Sequence, residues 1–311
     1  MVPSLARMSV IIKSQHETSV MTGNYEMAYI CGLLCRLTGT VPPSLETPVQ
    51  LQEDMMKLLE NYSPEDDREK VVIKMLKKKI LLLTTGGTIA SHKTEYGLAP
   101  ALTAEEILDF LPSMSSICHL EARNLFSIDS TNMTSAHWMQ IAGAIEESFS
   151  GYDGFVILHG TDTMAYTAAA LSYLIQNSPK PIVLTGSQRP LEMEISDARM
   201  NLRDSIVYAL DEASVGVSVV FGGKVIAGTR AKKVKTMSYN AFASINYPEL
   251  AVMRDEHLVR YIEQKPFCEP LAFYHELNSR VFLLKLTPGM SPLILKDIFS
   301  QYDGIIVESF G

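Results

Sequence analysis

Short apolar runs alternate with segments of helical spacing from residue 77 onward. Four of these runs are four to seven residues long, which is typical of buried strands; they are Ile80–Leu83, Asp153–His159, Pro181–Thr185 and Gly216–Phe221. Helical periodicity follows two of them, at Met164–Gln176 and Asp197–Leu210. This alternation predicts an α/β fold in which a parallel sheet carries helices on both faces.

The same pattern divides the chain into four parts. They are an extension at 1–76, the α/β domain at 77–262, a proline-containing linker at 263–279, and the start of a smaller α/β domain at 280–311. The extension has little strand character. Its residues 49–60 place apolar side chains on one helical face, so we expect a helical or partly disordered arm whose role the sequence does not assign.

Composition excludes several classes of function. The 311 residues carry a net charge of −8, which argues against nucleic-acid binding because such proteins usually present basic surfaces. The four cysteines fit neither a disulfide framework nor a zinc pattern. No run reaches the ~20 apolar residues of a membrane span, and no signal peptide is evident. We therefore expect a cytoplasmic protein that contacts no membrane.

Ligands in open α/β sheets bind beyond the carboxyl ends of the strands, so the loops there are candidate sites. The first loop, Thr84–Ala90, contains two glycines and then Thr88, whose hydroxyl could act as a nucleophile if a base lies nearby. The second contains Thr161 and Asp162. A Gly-Gly turn in the first and helix capping by Asp162 and Thr163 in the second are equally open interpretations.

Two further elements carry candidate chemistry. Lys180 precedes the strand at Pro181–Thr185, where a lysine is usually exposed but, if buried beside Thr161, could relay protons. Asp129, Ser130 and Thr131 form a polar cluster that is either a loop with a helix cap or a pocket for the charged end of an amino acid.

Four segments together resemble the L-asparaginase family, and most closely its bacterial cytosolic type I members. They are TTGGTIAS, DSTNM, DGFVILHGTDTMAYTAAALSYL and PKPIVLTGSQRP, and the resemblance covers roughly residues 78 to 311. It implies an amidohydrolase that converts L-asparagine to L-aspartate and ammonia through a threonine nucleophile and an acyl-enzyme. It also implies that no metal or organic cofactor is needed and that the full-length enzyme is a homodimer or homotetramer.

The resemblance assigns roles to individual residues. The catalytic set that it implies is Thr88 as primary nucleophile, Thr161 as second threonine, Asp162, Lys180, and Tyr96 in the variable loop after the first motif. The substrate-binding set that it implies is Asp129, Ser130, Thr131 and Asp162.

Two alternatives accompany this prediction. The asparaginase-like subunit of an archaeal glutamyl-tRNA amidotransferase also has an N-terminal extension, although that extension is a β-barrel and residues 1–76 here have helical spacing. A catalytically inactive chain that binds an amino acid is the second alternative. The family continues well beyond the position of Phe310-Gly311, so we expect an incomplete smaller domain and, for this chain alone, poor solubility or little activity.

Overall fold

A computed structural model describes residues 78–94, 97–100, 102–111, 114, 117–254, 257–265 and 267–310. The predicted extension at 1–76 lies outside these residues. The elements up to residue 210 are, in chain order, β1 (Lys79–Gly86), β2 (Ser91–Thr94), β3 (Gly97–Pro100), α1 (Ala104–Asp109), β4 (His119–Ile128), α2 (Ser135–Ser148), β5 (Gly154–Leu158), α3 (Met164–Leu174), β6 (Ile175–Gln176), β7 (Pro181–Thr185) and α4 (Ala198–Leu210).

The remaining elements are mostly strands. They are β8 (Gly216–Phe221), β9 (Lys224–Ala227), β10 (Ala231–Lys233), β11 (Phe242–Ser244), β12 (Ala251–Arg254), β13 (His257–Arg260), β14 (Ala272–Phe273), β15 (Val281–Lys285), α5 (Ile294–Gln301) and β16 (Gly304–Glu308).

An eight-stranded sheet organises the described residues, in the order β13-β12-β9-β8-β7-β5-β1-β4. The neighbours from β4 to β8 are parallel, which confirms the predicted α/β sheet. The strands β9, β12 and β13 add an antiparallel edge that the sequence pattern did not predict. The sheet is therefore mostly parallel.

Two apolar clusters cover the two faces of this sheet. Alternate side chains of a strand point to opposite faces, and in β1 they divide accordingly: Ile80 and Leu82 join the cluster under α1 and α4, while Leu81 and Leu83 join the cluster under α2 and α3. Each of these four helices buries one apolar stripe against the sheet, so this part of the fold is a helix–sheet–helix sandwich.

The strand order changes direction at β1, which is paired with β4 on one side and β5 on the other. The chain runs from β1 out to β4 and then returns across β1 to β5. A crevice forms at such a switch point, outside the carboxyl ends of the strands. The loops that follow β1 and β5 carry Thr88 and Thr161, so the fold brings both threonines to one edge.

The region after the large sheet differs partly from prediction. The segment at 263–279, interpreted as a linker, contains β14, which pairs with β6 at the end of α3. This part of the segment therefore packs on the sheet domain. After this segment, β15 pairs in parallel with β16, with α5 between them in the chain.

Candidate active site

Two glycines shape the loop that presents Thr88. Gly86 and Gly87 have φ values of 99° and 84°, which is the left-handed region that favours glycine. A Cβ on Gly87 would lie 2.5 Å from the backbone nitrogen of Gly160. The loops after β1 and β5 therefore pack backbone against backbone, with no room for a side chain at Gly87. Thr88, half-buried, then begins a 3₁₀ turn, Thr88–Ala90.

The loop after β5 carries the densest polar contacts of the site. Thr161 is buried, and its Oγ1 accepts a hydrogen bond from Lys233 Nζ at 2.8 Å. The same ammonium lies 2.7 Å from Asp162 Oδ1. Lys233 is mostly buried, with 14% of its side chain exposed. A lysine held between a hydroxyl and a carboxylate in this way can stabilise negative charge and move a proton at the hydroxyl.

Lys180, which could relay protons only if it lay beside Thr161, lies elsewhere. Its ammonium donates to the carbonyl oxygens of Phe149 and Tyr152, at 2.5 and 2.7 Å, just past the end of α2. The physical reason is strand direction: Lys180 precedes β7, at the amino ends of the parallel strands, whereas Thr161 follows the carboxyl end of β5. Five strand residues span roughly 16 Å, so the prediction for Lys180 is wrong.

Sequence reasoning missed Lys233. It ends the short strand β10, which pairs with β11 in a hairpin, and it reaches the site from outside the parallel strands. Lys232 and Lys235 are its near neighbours in the sequence, and no local signal separates the three.

The cluster after β4 lies against the same two loops. Asp129 Oδ1 accepts from both the backbone nitrogen and the hydroxyl of Thr131, each at 2.8 Å. Ser130 is buried, and a Cβ on Gly160 would lie 2.6 Å from its Oγ. Thr131 thus fixes the carboxylate of Asp129, and Ser130 lies directly under the Thr161 loop.

Thr163 occupies the N-cap position of α3, as one interpretation of the sequence expected, but its side chain does not cap the helix. Its hydroxyl donates instead to the carbonyl oxygen of Ser130 at 2.7 Å. The Thr163 hydroxyl, which was predicted to cap α3, therefore links the loops after β4 and β5. Tyr96 lies outside the described residues.

A buried histidine supports the Thr161 loop from below. His159 is fully buried. Its Nδ1 lies 2.7 Å from the carbonyl oxygen of Gly160, which can only accept, so Nδ1 carries the proton. Its Nε2 then accepts from the hydroxyl of Thr167 at 2.8 Å, and that oxygen accepts from Trp138 Nε1 at 2.9 Å. Burial lowers the pKa of His159 to about 4, so the ring is neutral at physiological pH.

The described residues therefore place two threonines, a lysine and two carboxylates at the switch point of the sheet. No group of three or more His, Cys, Asp or Glu side chains that could hold a metal ion occurs among them. Within the same residues, no helix is long and apolar enough to cross a membrane. The arrangement suits attack by a hydroxyl on a carbonyl carbon with proton transfer through neighbouring side chains.

Comparison with known families decides the class of protein. Residues 79–266 match the model of the asparaginase N-terminal domain. The chain belongs to the asparaginase family. Residues 1–79 match a different model, a domain of unknown function termed DUF3837, so the family match begins at the first strand of the sheet.

Two relatives illustrate the range of this family. The chain is 44% identical over 235 residues to the L-asparaginase of Thermococcus kodakarensis, and the match covers 75% of this chain and 71% of that protein. It is 38% identical over 252 residues to a component of the glutamyl-tRNA(Gln) amidotransferase of Metallosphaera sedula, and this match covers 76% of the chain and 57% of the relative. The chain thus spans little more than half of that amidotransferase component.

Solved structures of asparaginases share the fold. The thermostable L-asparaginase of Thermococcus kodakarensis aligns with a TM-score of 0.68 and 40% identity over 75% of this chain and 71% of its own. L-asparaginase I of Vibrio cholerae aligns with a TM-score of 0.70 and 30% identity over 76% and 73% of the two chains. The resemblance to type I asparaginases that the sequence motifs indicated is therefore confirmed.

Proposed function

We propose that this chain hydrolyses the side-chain amide of L-asparagine to L-aspartate and ammonia, with Thr88 as the nucleophile. The observation that carries the proposal is the contact of Lys233 Nζ with Thr161 Oγ1 at 2.8 Å, in the loop that packs on Gly87. A threonine hydroxyl is a weak nucleophile and needs a neighbouring group that accepts its proton. The pair formed by Thr161 and Lys233 supplies that group next to Thr88.

In the proposed reaction, Thr88 Oγ1 attacks the amide carbon and forms a tetrahedral oxyanion. Backbone N–H groups of the Thr161 loop, where α3 begins, are the donors that would stabilise it. The C–N bond then breaks, leaving an ester on Thr88. In this step the Lys233 ammonium gives a proton to the departing nitrogen, which leaves as ammonia, and the Thr161 hydroxyl passes the proton of Thr88 back to the Lys233 amine. Water cleaves the ester along the same route and releases L-aspartate.

The charged end of the substrate meets the cluster after β4. Asp129 is the candidate partner for the substrate ammonium, because one carboxylate oxygen is fixed by Thr131 and none of the described groups donates to the other. Ser130 and Asp162 complete the proposed pocket. In this proposal Thr131 acts by holding Asp129, rather than by direct contact with substrate.

An ammonia-release assay on the purified chain with L-asparagine tests the proposal. We expect Thr88→Ala and Thr161→Ala to abolish most turnover while the folded state persists. Thr103→Ala is the matched control, because the Thr103 hydroxyl only caps α1. Wild-type turnover in Thr88→Ala would overturn the assignment of the nucleophile.

A second candidate function rests on the similarity to components of glutamyl-tRNA(Gln) amidotransferases from several organisms, among them Metallosphaera sedula and Pyrococcus furiosus. Under that alternative, the same amide chemistry would release ammonia for a partner protein. Assaying L-asparagine and L-glutamine with the isolated chain separates the two functions. Turnover of L-asparagine without any partner supports the asparaginase proposal, whereas amide hydrolysis only in the presence of a partner protein and tRNA supports the alternative.

A further inference from the structure

The loop that follows β7, Gly186–Leu191, contacts three segments of the candidate site. Leu191 donates its backbone N–H to the carbonyl oxygen of Ile89, the residue after Thr88, at 3.3 Å. A Cβ on Gly186 would lie 2.2 Å from the carbonyl oxygen of His159 and 3.7 Å from Thr161 Cγ2. The loop therefore touches the turns that carry both catalytic threonines.

The same loop also reaches the hairpin that supplies the lysine. Gln188 Nε2 donates to the carbonyl oxygen of Ser238 at 3.2 Å. Ser238 lies between β10, which ends at Lys233, and β11. Whatever fixes the Gly186–Leu191 loop thus bears on the relative position of Thr88, Thr161 and Lys233.

Asp197 holds the backbone amides of this loop. This carboxylate is 8% exposed and stands at the N-cap of α4, but it makes no capping bond to its own helix. It accepts instead from the backbone nitrogen of Gln188, at 2.9 and 3.1 Å from its two oxygens, and from that of Arg189 at 3.1 Å. A buried carboxylate is stable only when its oxygens are hydrogen-bonded, so the loop amides and Asp197 require one another.

Asn201, one turn later on α4, completes the arrangement. Its Nδ2 donates to the carbonyl oxygen of Gly186 at 2.9 Å and to Asp197 Oδ2 at 3.2 Å. Its Oδ1 accepts from the backbone nitrogen of Gly222, after β8, at 2.9 Å. The amide is buried and all of these bonds are satisfied in one orientation, so Asn201 ties the ends of β7 and β8 to the same helix.

We propose that Asp197 and Asn201 are positioning residues that set the relative geometry of Thr88, Thr161 and Lys233 through the Gly186–Leu191 loop. Neither residue acts on the reacting atoms. The inference deepens the proposed amide hydrolysis and rests on it for its kinetic test. A misplacement of about 1 Å in a catalytic group can cost about 10²-fold in rate, so small shifts of this loop have large consequences.

The test compares Asp197→Asn with Ser205→Ala. The first substitution keeps the shape of the side chain but places an amide N–H donor against the backbone N–H groups of Gln188 and Arg189. The second removes a buried hydrogen bond of the same helix, from Ser205 Oγ to the carbonyl oxygen of Asn201. We expect Asp197→Asn to lower kcat for L-asparagine about 10- to 100-fold while KM changes by less than about 3-fold, because Asp129 and Ser130 lie on the other side of the site. Ser205→Ala should leave both constants near wild type.

Hydrogen exchange measured by mass spectrometry supplies a readout that does not depend on turnover. Asp197→Asn should accelerate exchange in peptides that cover 84–90, 159–165 and 233–241, as well as in the loop itself, and Ser205→Ala should not. If Asp197→Asn does not fold, Asn201→Ser serves, since it removes the bonds to Gly186 and Gly222 and leaves the carboxylate in place.

The outcomes separate the two proposals. A wild-type chain without amide hydrolysis would overturn the proposed function, and the exchange data alone would then decide the positioning role. Unchanged exchange in the three site peptides would overturn the positioning role whatever the activity. Unchanged kcat in Asp197→Asn of an active enzyme would overturn it as well, and so would an equal loss in Ser205→Ala.

Discussion

At the scale of single residues, the site depends on which end of a strand a lysine occupies. Lys180 and Lys233 are both partly buried, but Lys180 binds two carbonyl oxygens past the end of α2 and Lys233 binds Thr161 and Asp162. We expect Lys233→Ala to lower kcat by at least about 10²-fold, the lower range for a lost proton-transfer group. Lys180→Ala should leave kcat near wild type and reduce stability instead.

The measurement is ammonia release at saturating L-asparagine together with thermal unfolding of both variants. A hydrogen bond that involves a charged group contributes about 1.5–3 kcal/mol to stability. Lys180 donates two such bonds to carbonyl oxygens, so Lys180→Ala should unfold at a lower temperature. A large loss of kcat in Lys180→Ala, with Lys233→Ala active, would restore the assignment made from sequence and contradict the geometry.

His159 gives a pH-dependent prediction at the same scale. Its pKa is about 4 in the folded chain against 6.5 for a free histidine, because burial disfavours the charged ring. Below pH 6.5 His159 of the unfolded chain takes up a proton, whereas His159 of the folded chain stays neutral down to about pH 4. The free energy of unfolding should therefore fall between pH 6.5 and about 4, by about 3 kcal/mol in all, and this contribution should level off below that range.

Urea unfolding across that pH range checks that the free energy of unfolding falls as the pH falls. His159→Asn should be less stable than wild type at pH 7, because hydrogen bonds to Gly160 and Thr167 are lost, but its stability should depend less on pH. His275→Asn is the matched control, since His275 is exposed, with 68% of its side chain accessible. A wild-type slope that survives in His159→Asn would show that other groups cause the pH dependence.

The residue scale also shows how far the sequence could predict the site. Thr88 and Thr161 could be picked out because each lies in the loop after a strand of recognisable type, whereas Ser130 was picked out as part of a polar cluster and by the family resemblance. Lys233 was missed because its position depends on a three-residue strand in a hairpin, which leaves no periodic signal. Thr163 was assigned the right position, but the acceptor of its hydroxyl belongs to a segment 33 residues earlier.

At the scale of elements, the turn after β1 brings the first two loops together, and Gly87 is its critical residue. Gly87→Ala should misplace Thr88, because the added Cβ would overlap the backbone of Gly160 and φ is 84°. We expect a loss of at least about 1–3 kcal/mol of stability, the usual cost of strained backbone, and loss of most activity.

Gly143→Ala is the matched control for that prediction. Gly143 lies within α2 and an added Cβ would meet nothing within 4 Å. Alanine is favoured over glycine inside a helix by about 0.8–1 kcal/mol, so this variant should be slightly more stable and fully active. Equal behaviour of the two variants in urea unfolding and ammonia release would contradict the role given to Gly87.

Elements differed in how well their patterns predicted them. The strands β5 and β7 are buried on both faces, so their continuous apolar runs were unmistakable. The strand β4 lies at the edge of the sheet, with one neighbouring strand, and has a mixed burial pattern. Its sequence therefore contains polar residues and shows no continuous apolar run. The antiparallel strands β9, β12 and β13 are only four residues each, too short for a period of two to be distinguished from a loop.

At the scale of the whole molecule, the segment containing β15, α5 and β16 presents large apolar side chains to solvent. Leu293 is 80% exposed and Phe299 67% at α5, and Ile306 and Val307 are more than half exposed on β16. Exposed large apolar side chains, when several occur in one segment, favour association. We therefore expect the 34.5 kDa chain to sediment above its monomer mass at micromolar concentration.

The contribution of this surface can be measured by substitution on one helix. The double variant Leu293→Ser with Phe299→Ser should shift the sedimentation profile toward the monomer, because it removes the two most exposed apolar side chains at α5. Lys296→Ser lies on the same helix and is also exposed, but it removes no apolar area, so it should sediment like wild type. Ammonia release from L-asparagine, measured on the same fractions, then shows whether assembly and activity are linked. If the double variant sediments unchanged, association runs through another surface, and a wild-type chain that stays monomeric would refute the prediction altogether.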